Sequence, residues 1–268
     1  MEGIYNHTFE YLNFTDLEFL HSQVTAAFWA ISCFAFPIIC AATYGLYCLI
    51  KSEHVTPVYV INLLMSDMLQ ICTKPVWHMI SPLSVMHLVL FAVYSLGVVT
   101  SICFMLCISA ERYVAIAYPI WYRCRHTKKM SLWASFMVWV AAVLYVLIVS
   151  LAVLTGNLDQ RILISGMIVF YLLPYPLVIC FSMGTWRALS NAKSVPAHER
   201  RRIMGTLALV LFIYTVLFLP FIILMLTITV SPALLNEAPV QNLWILADIL
   251  LALNPMVDPI LYVFMRRC

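Results

Sequence analysis

Long apolar runs separated by short polar connections set the pattern of this chain. Seven runs stand out: Ala26 to Ile50, Pro57 to Ile80, Met86 to Ala117, Ser131 to Thr155, Ile162 to Ala188, Ile203 to Val230 and Val240 to Phe264. About 20 apolar residues cross the hydrocarbon layer as a helix, so each run predicts a membrane span, and the longer ones have length to tilt or project beyond it. The pattern therefore predicts an all-α membrane protein, a bundle of seven transmembrane helices over residues 26–264. A polar N-terminal segment, 1–25, precedes it, and a very short tail, 265–268, follows. The loops are short, and the longest inner connection runs from Asn191 to Arg202. Neither a 20-to-50-residue repeat nor a pair of broken helices of the inverted-repeat transporter kind is evident.

Charge orients the bundle. Lys51, Arg112, Arg123, Arg125, Lys128, Lys129, Arg187, Lys193, Arg200, Arg201, Arg202, Arg266 and Arg267 fall at one set of span ends, and only Lys74 and Arg161 lie toward the other. Basic residues stay on the cytoplasmic side, which predicts the N-terminus outside and the C-terminus inside. Asn6-His7-Thr8 and Asn13-Phe14-Thr15 fit the glycosylation acceptor pattern and then lie on the glycosylated side. The acidic start, with Glu2, Glu10, Asp16 and Glu18, does not look like a cleavable signal peptide.

Composition agrees with the pattern and narrows the chemistry. The chain is 64% hydrophobic and 10% charged, with a mean hydropathy of +0.96, against about a quarter charged for soluble domains. The net charge of +3 is accounted for by the inner-face lysines and arginines facing membrane lipids, so no nucleic-acid partner is implied. The nine cysteines lack metal-ligand spacing. No nucleophile-base arrangement, HExxH or phosphate loop points to an enzyme, and no organic cofactor is expected.

The third run ends in the stretch SICFMLCISAERYVAIAYPIWYR, Ser101 to Arg123, where an acid, Glu111, stands beside a base, Arg112, with Tyr113 next and Pro119 seven residues after the arginine. Acid and base at the membrane edge neutralise each other and can part again, which makes a switch. The stretch resembles the third span and second inner loop of the rhodopsin-like (class A) G-protein-coupled receptors. Other landmarks resemble the family in order: Asn62, Leu63 and Asp67 in the second span, Trp139 in the fourth, Pro174 in the fifth, Tyr214 and Phe218-Leu219-Pro220-Phe221 in the sixth, and Asp258-Pro259-Ile260-Leu261-Tyr262 in the seventh. The Asp-Pro variant is similar to the branch of purinergic, protease-activated, lipid and proton-sensing receptors. A proline inside a membrane helix removes a hydrogen bond and bends it, so Pro174, Pro220 and Pro259, with Tyr214, Phe218, Asp258 and Tyr262, are the expected hinge of activation.

What the resemblance implies is a plasma-membrane receptor that passes an extracellular ligand or proton signal to a heterotrimeric G protein through Glu111, Arg112, Tyr113 and Pro119. Asp67, Ser101, Asn254 and Asp258 match positions that surround an allosteric Na⁺ in the family. Two buried carboxylates need a cation or proton between them, and oxygen ligands suit a hard cation; separate helix-helix hydrogen bonds are the alternative. Chain departures from the family are an Asn-free first span, His87 where a disulfide cysteine is usual, a Cys-free Gly156 to Arg161 connection, and Ser182 in place of a fifth-span Tyr.

The expected ligand pocket is lined by Lys74, Tyr94, Phe221, Met225 and Asp248. Tyr94 stands where amine receptors carry an acid, so a monoamine is not expected. Lys74 and Asp248, charges at membrane depth, are expected to pair. His78 and His87 are candidate proton sensors, since histidine changes charge near neutral pH. Two other readings remain: a non-coupling or constitutively active receptor-like protein acting through receptor pairing, and an ion or proton-coupled transporter using Asp67 and Asp258.

Overall fold

The computed structural model describes residues 2–53, 58–81, 84–125, 127–156, 160–191, 196–231 and 238–261. All regular structure among them is helical. The elements are α1 (Glu2–Glu53), α2 (Val58–Met79), α3 (Val85–Ala117), α4 (Pro119–Arg125), α5 (Lys128–Thr155), α6 (Gln160–Leu172), α7 (Pro174–Asn191), α8 (Ala197–Ile213), a π-helical turn (Tyr214–Phe218), α9 (Leu219–Val230), α10 (Ala238–Ala252) and α11 (Asn254–Val257). They assemble the seven spans as α1, α2, α3, α5, α6 with α7, α8 through α9, and α10 with α11.

The first helix does not begin at the apolar run: its backbone is helical from Glu2 through the N-terminal segment without a break. Asn6 and Asn13 lie on this helix, and their side chains fall outside the described ones. Tyr262 and residues 263–268 also fall outside.

Three spans that read as continuous runs are interrupted, and proline is the reason each time. The fifth breaks at Leu173, ahead of Pro174 and Pro176, neither of which can donate to a preceding carbonyl. In the sixth, the π turn widens the helix just before Pro220, with the Leu219 amide donating back to Tyr214 O; the wider turn makes room where the proline ring would press on the preceding turn. In the seventh, the helix turns at Leu253 before Asn254-Pro255. Between the third and fourth spans, α3 ends at Tyr118 and α4 starts on Pro119, a favourable first helical position. Thr127 caps α5 through Met130 N at 3.4 Å, and Gly156 closes it with φ 62°, a left-handed value that glycine adopts without strain.

Apolarity is distributed inside out. The inward face of α5 is Ser131, Ser135, Ala142, Val146 and Ala152, while its exposed face carries Trp133, Phe136, Leu144, Leu147 and Ile148. A soluble fold would reverse this; lipid rewards it, because small residues let helices approach while large apolar ones face the acyl chains. Among the described residues six helical segments are long and apolar enough to cross a membrane. α2 falls outside that set because Asn62, Ser66, Asp67, Gln70, Thr73, Lys74 and His78 dilute it. The structure buries the centre of that stripe, with Ser66, Asp67, Gln70, Thr73 and Lys74 on the inward face at helical spacing.

Small residues set the closest approaches. A Cβ on Gly97 of α3 would come within 2.9 Å of Ser66 O and 2.8 Å of Gln70 Cγ, so glycine is what lets α2 and α3 meet. A Cβ on Gly184 of α7 would lie 2.6 Å from the Tyr113 ring. α3 consequently runs through the middle of the bundle, packed against α2, α5 and α7.

Candidate functional site

Chemistry concentrates at three levels along the bundle. At one end, Lys74, Trp77 and His78 share a face of α2 at i, i+3 and i+4 and turn toward α3 and α10. Lys74 Nζ lies 2.6 Å from Asp248 Oδ1, with side-chain exposures of 4% and 16%. The ammonium also sits over the rings of Phe28, Trp77 and Tyr94, at 4.8, 4.6 and 4.5 Å from their centroids. His78 Nε2 stands 3.7 Å from Asp248 Oδ2, beyond hydrogen-bond distance, and its ring packs 4.5 Å from that of Phe28. Beside the pair opens a cavity of ≈ 190 Å³ whose walls include Tyr94, Tyr145, Tyr171, Phe221, Met225 and Trp244.

All five expected pocket residues line this one cavity, and so does His78. His87 does not; it packs against Trp77 at 5.3 Å between centroids. The aromatic walls Trp77, Tyr145 and Trp244, and Phe28 over the ammonium, escape sequence reading, although helical spacing from Lys74 and Asp248 marks Trp77 and Trp244. Trp77 Nε1 and the Tyr94 and Tyr145 hydroxyls are buried without a hydrogen-bond partner among the described residues. A wall of apolar rings with several unsatisfied hydrogen-bonding groups is suited to a small amphiphile.

At mid-bundle lie four polar side chains, all fully buried: Asp67, Ser101, Asn254 and Asp258. Ser101 Oγ donates to Asp258 Oδ2 at 3.2 Å; Asn254 Nδ2 lies 3.0 Å from both Ser101 Oγ and Asp258 Oδ2. Gln70 Nε2 reaches Asp67 Oδ1 at 3.4 Å. Asp67 Oδ2, Asn254 Oδ1 and Asp258 Oδ1 have no hydrogen-bond partner among the described residues. Three orphaned acceptor oxygens, two of them from the carboxylates, form a donor set that fits a hard monovalent cation or a shared proton. No cluster of three His, Cys, Asp or Glu side chains suited to a transition metal occurs among the described residues.

Between these levels runs the interrupted sixth span. The Tyr214 hydroxyl donates across to Tyr171 O, beside the break in the fifth span. Its ring stacks on Tyr175 at 5.6 Å and on Phe218 at 5.2 Å, and the Tyr175 hydroxyl lies 3.3 Å from Thr215 Oγ1. The two proline-weakened helices are thus clamped together at their weak points. Trp139 Nε1 donates to Asn62 Oδ1 at 2.9 Å, tying the fourth span to the second.

At the opposite end, Arg112 Nη2 lies 3.8 Å from Glu111 Oε2, and the Tyr122 hydroxyl donates to Glu111 Oε1 at 2.9 Å. Partial burial, reinforced by the Glu111 charge, pushes the Tyr122 phenol well up from its ordinary range and holds it as a proton donor. Tyr122 belongs to α4, which Pro119 starts, so the loop helix is what brings a second partner to Glu111. Tyr113 packs on Phe181 at 5.7 Å and over Gly184, while Ser182 Oγ is buried without a hydrogen-bond partner among the described residues. Among the described residues eight cysteines are free thiols, and none is paired in a disulfide.

Comparison with known proteins bears on this arrangement. The 7 transmembrane receptor (rhodopsin family) profile matches residues 44–262. Human G-protein coupled receptor 68 is 24% identical over 260 residues, covering 87% of this chain and 70% of its own. Human lysophosphatidic acid receptor 6 is 32% identical over 113 residues, 39% of this chain and 32% of its own. Mouse free fatty acid receptor 3 is 27% identical over 183 residues, 60% of this chain and 54% of its own.

Proposed function

This chain belongs to the rhodopsin family of seven-transmembrane receptors, and from that premise we propose how it receives and passes on a signal. It is a multi-pass membrane receptor of the G-protein-coupled kind. In our reading it sits in the plasma membrane with the Lys74 end outside and the Arg112 end facing a heterotrimeric G protein, the orientation that the basic residues at the Arg112 end favour.

The observation that carries the reading is the Lys74–Asp248 pair in the wall of the ≈ 190 Å³ cavity. It ties the second span to the seventh beside a space of ligand size. A small amphiphile with an apolar body and an acceptor group answers the buried Trp77 Nε1 and Tyr94 hydroxyl, and a carboxylate or phosphate head also competes with Asp248 for Lys74. Two of the relatives are named for lysophosphatidic acid and for free fatty acids, which favours such acids as the ligand class. A ligand can shift the resting equilibrium only through better contacts in the other state; parting Lys74 from Asp248 supplies that difference.

The response then runs through the clamp at Tyr214. Release of the seventh span lets the sixth swing about Pro220, Arg112 leaves Glu111, and an inner cavity opens for the G protein. Asp67, Asn254, Ser101 and Asp258 would hold Na⁺ in the resting bundle, where its positive charge offsets the two buried carboxylates. Protons are a second reading of the input, favoured by the 3.7 Å approach of His78 to Asp248.

Nucleotide exchange by G proteins in membranes containing the chain tests the proposal, with short and long fatty acids and lysophosphatidate added across pH 6 to 8. Exchange that rises with one acid and disappears in Arg112→Ala supports it. A response to pH alone, lost in His78→Phe, selects the proton reading. Ion flux without any exchange would return the transporter reading.

A further inference from the structure

The surroundings of Lys74 have the makeup of a binding site for an ammonium ion. Aromatic faces and one carboxylate are the groups that recognise organic cations. Here three rings from three helices, Phe28 of α1, Trp77 of α2 and Tyr94 of α3, stand within 4.8 Å of the nitrogen, and Asp248 of α10 closes the fourth side at 2.6 Å. Phe28 and Tyr94 are themselves buried, at 1% and 5% exposure, so the cage is built into the core of the bundle.

We propose that Lys74 is a resident ammonium: its side chain fills a cation-binding cage that opens onto the cavity, so the native receptor refuses amines, and a free primary alkylammonium takes the same place once the lysine is cut back. The binding claim stands on the cage alone. Its signalling consequence rests on the cavity being the ligand site, as argued above.

The geometry fixes the probe. Lys74→Ala keeps Cβ and removes Cγ, Cδ, Cε and Nζ, which n-propylammonium replaces atom for atom. The shortened chain leaves a channel lined by the lysine's former neighbours and continuous with the cavity that Lys74 borders. An ammonium entering by it meets Asp248 and the three rings with its charge already paired, so binding pays no cost of an unmatched buried ion. In the native chain the same position is filled, and an added amine has nowhere to go.

The experiment is thermal unfolding of the receptor in lipid nanodiscs. Lys74→Ala is expected to melt below the native chain, and n-propylammonium to recover most of the difference with saturation in the millimolar range, within what four non-hydrogen atoms support. Methylammonium and n-hexylammonium should recover less, and 1-propanol and propionate nothing. Asp248→Asn in the Lys74→Ala background should abolish recovery, and the native chain should not respond to amine. If Lys74→Ala fails to fold, it is expressed with n-propylammonium in the medium, and Lys74→Ser, which leaves most of the same channel open, is measured beside it. No gain from amine in either variant, an equal gain in the native chain, or recovery that survives Asp248→Asn overturns the proposal. Loss of G-protein exchange in all variants, with amine binding intact, would count against the receptor mechanism and leave the cage standing.

Discussion

Removing Asp248 separates the worth of the Lys74 pair from the worth of the charges that make it. In Asp248→Ala the ammonium stays in a site where its side chain is 4% exposed, held by three aromatic faces and no anion. Stranding one member of a buried pair costs about 3–5 kcal/mol. The rings retain part of the attraction, up to ~2 kcal/mol for a desolvated contact, which places the expected loss near the low end, about 3 kcal/mol. If activation parts the two residues, that loss falls on the resting state alone, and at about 1.4 kcal/mol per decade it raises the active fraction roughly a hundredfold. Basal nucleotide exchange in nanodiscs, beside a thermal melt, reads both quantities. The companion variant carries Lys74→Met and Asp248→Leu together: with neither charge left, an apolar pair of similar size should regain much of the lost melting temperature, because well-packed apolar replacements of buried pairs are close to neutral. Losses that simply add in the double variant, or basal exchange unchanged in Asp248→Ala, would refute the latch.

Other outcomes follow from the remaining sites. Gly97→Val should cost at least about 2–3 kcal/mol, measured by denaturation in lipid nanodiscs, because the obstructing atom at 2.9 Å is the Ser66 carbonyl of the packed α2 backbone. Sodium chloride titrated against a potassium control should stabilise the native chain and not Asp67→Asn or Asp258→Asn; equal response in all three would favour a shared proton. Tyr122→Phe removes the 2.9 Å bond to Glu111 and should raise basal exchange, read as nucleotide turnover, since Glu111 is then easier for Arg112 to leave. The Tyr122 phenol is held above its ordinary value of 10.0, mainly by burial and then by Glu111, so the native chain keeps this contribution below pH 10.0 and loses it as pH rises through the raised value; Tyr122→Phe should flatten that alkaline limb of the melting curve.

How much of this was legible in the sequence depends on what each residue had to do. The seven runs were readable because lipid demands unbroken apolarity over a fixed length, and the Arg112 string because its order is dense with constraints. Lys74 and Asp248 were readable as a pair because a lone charge at membrane depth is costly. Phe28 was not: it sits 46 positions from Lys74 on another helix, among many phenylalanines, and only tertiary packing brings it to the ammonium. The breaks at Leu173 and Leu253 fall at prolines that the sequence displays, yet whether a proline kinks a helix, widens it to a π turn as at Tyr214–Phe218, or stops it depends on which neighbour takes up the freed carbonyl. Tyr122 became a partner of Glu111 only because α4 folds back beneath α3. The N-terminal segment reads as polar, and its helical backbone from Glu2 has no counterpart in the apolar pattern.

The polar stripe of α2 has a consequence for how the protein is made. A segment with Asp67 and Lys74 near its middle pays a penalty for entering lipid alone, about 2.5–3.5 kcal/mol for each central charge by insertion scales. Its partners come from α3 and from α10, and the latter is synthesised well over a hundred positions later. During synthesis α2 must therefore be sheltered, first by α3, whose Gly97 accepts it face to face, and with Lys74 left waiting for Asp248 until the last span arrives. The Lys74–Asp248 pair that joins the second span to the seventh makes the nascent chain dependent on completion, so truncation before α10 should send it to degradation instead of a stable bundle in the membrane.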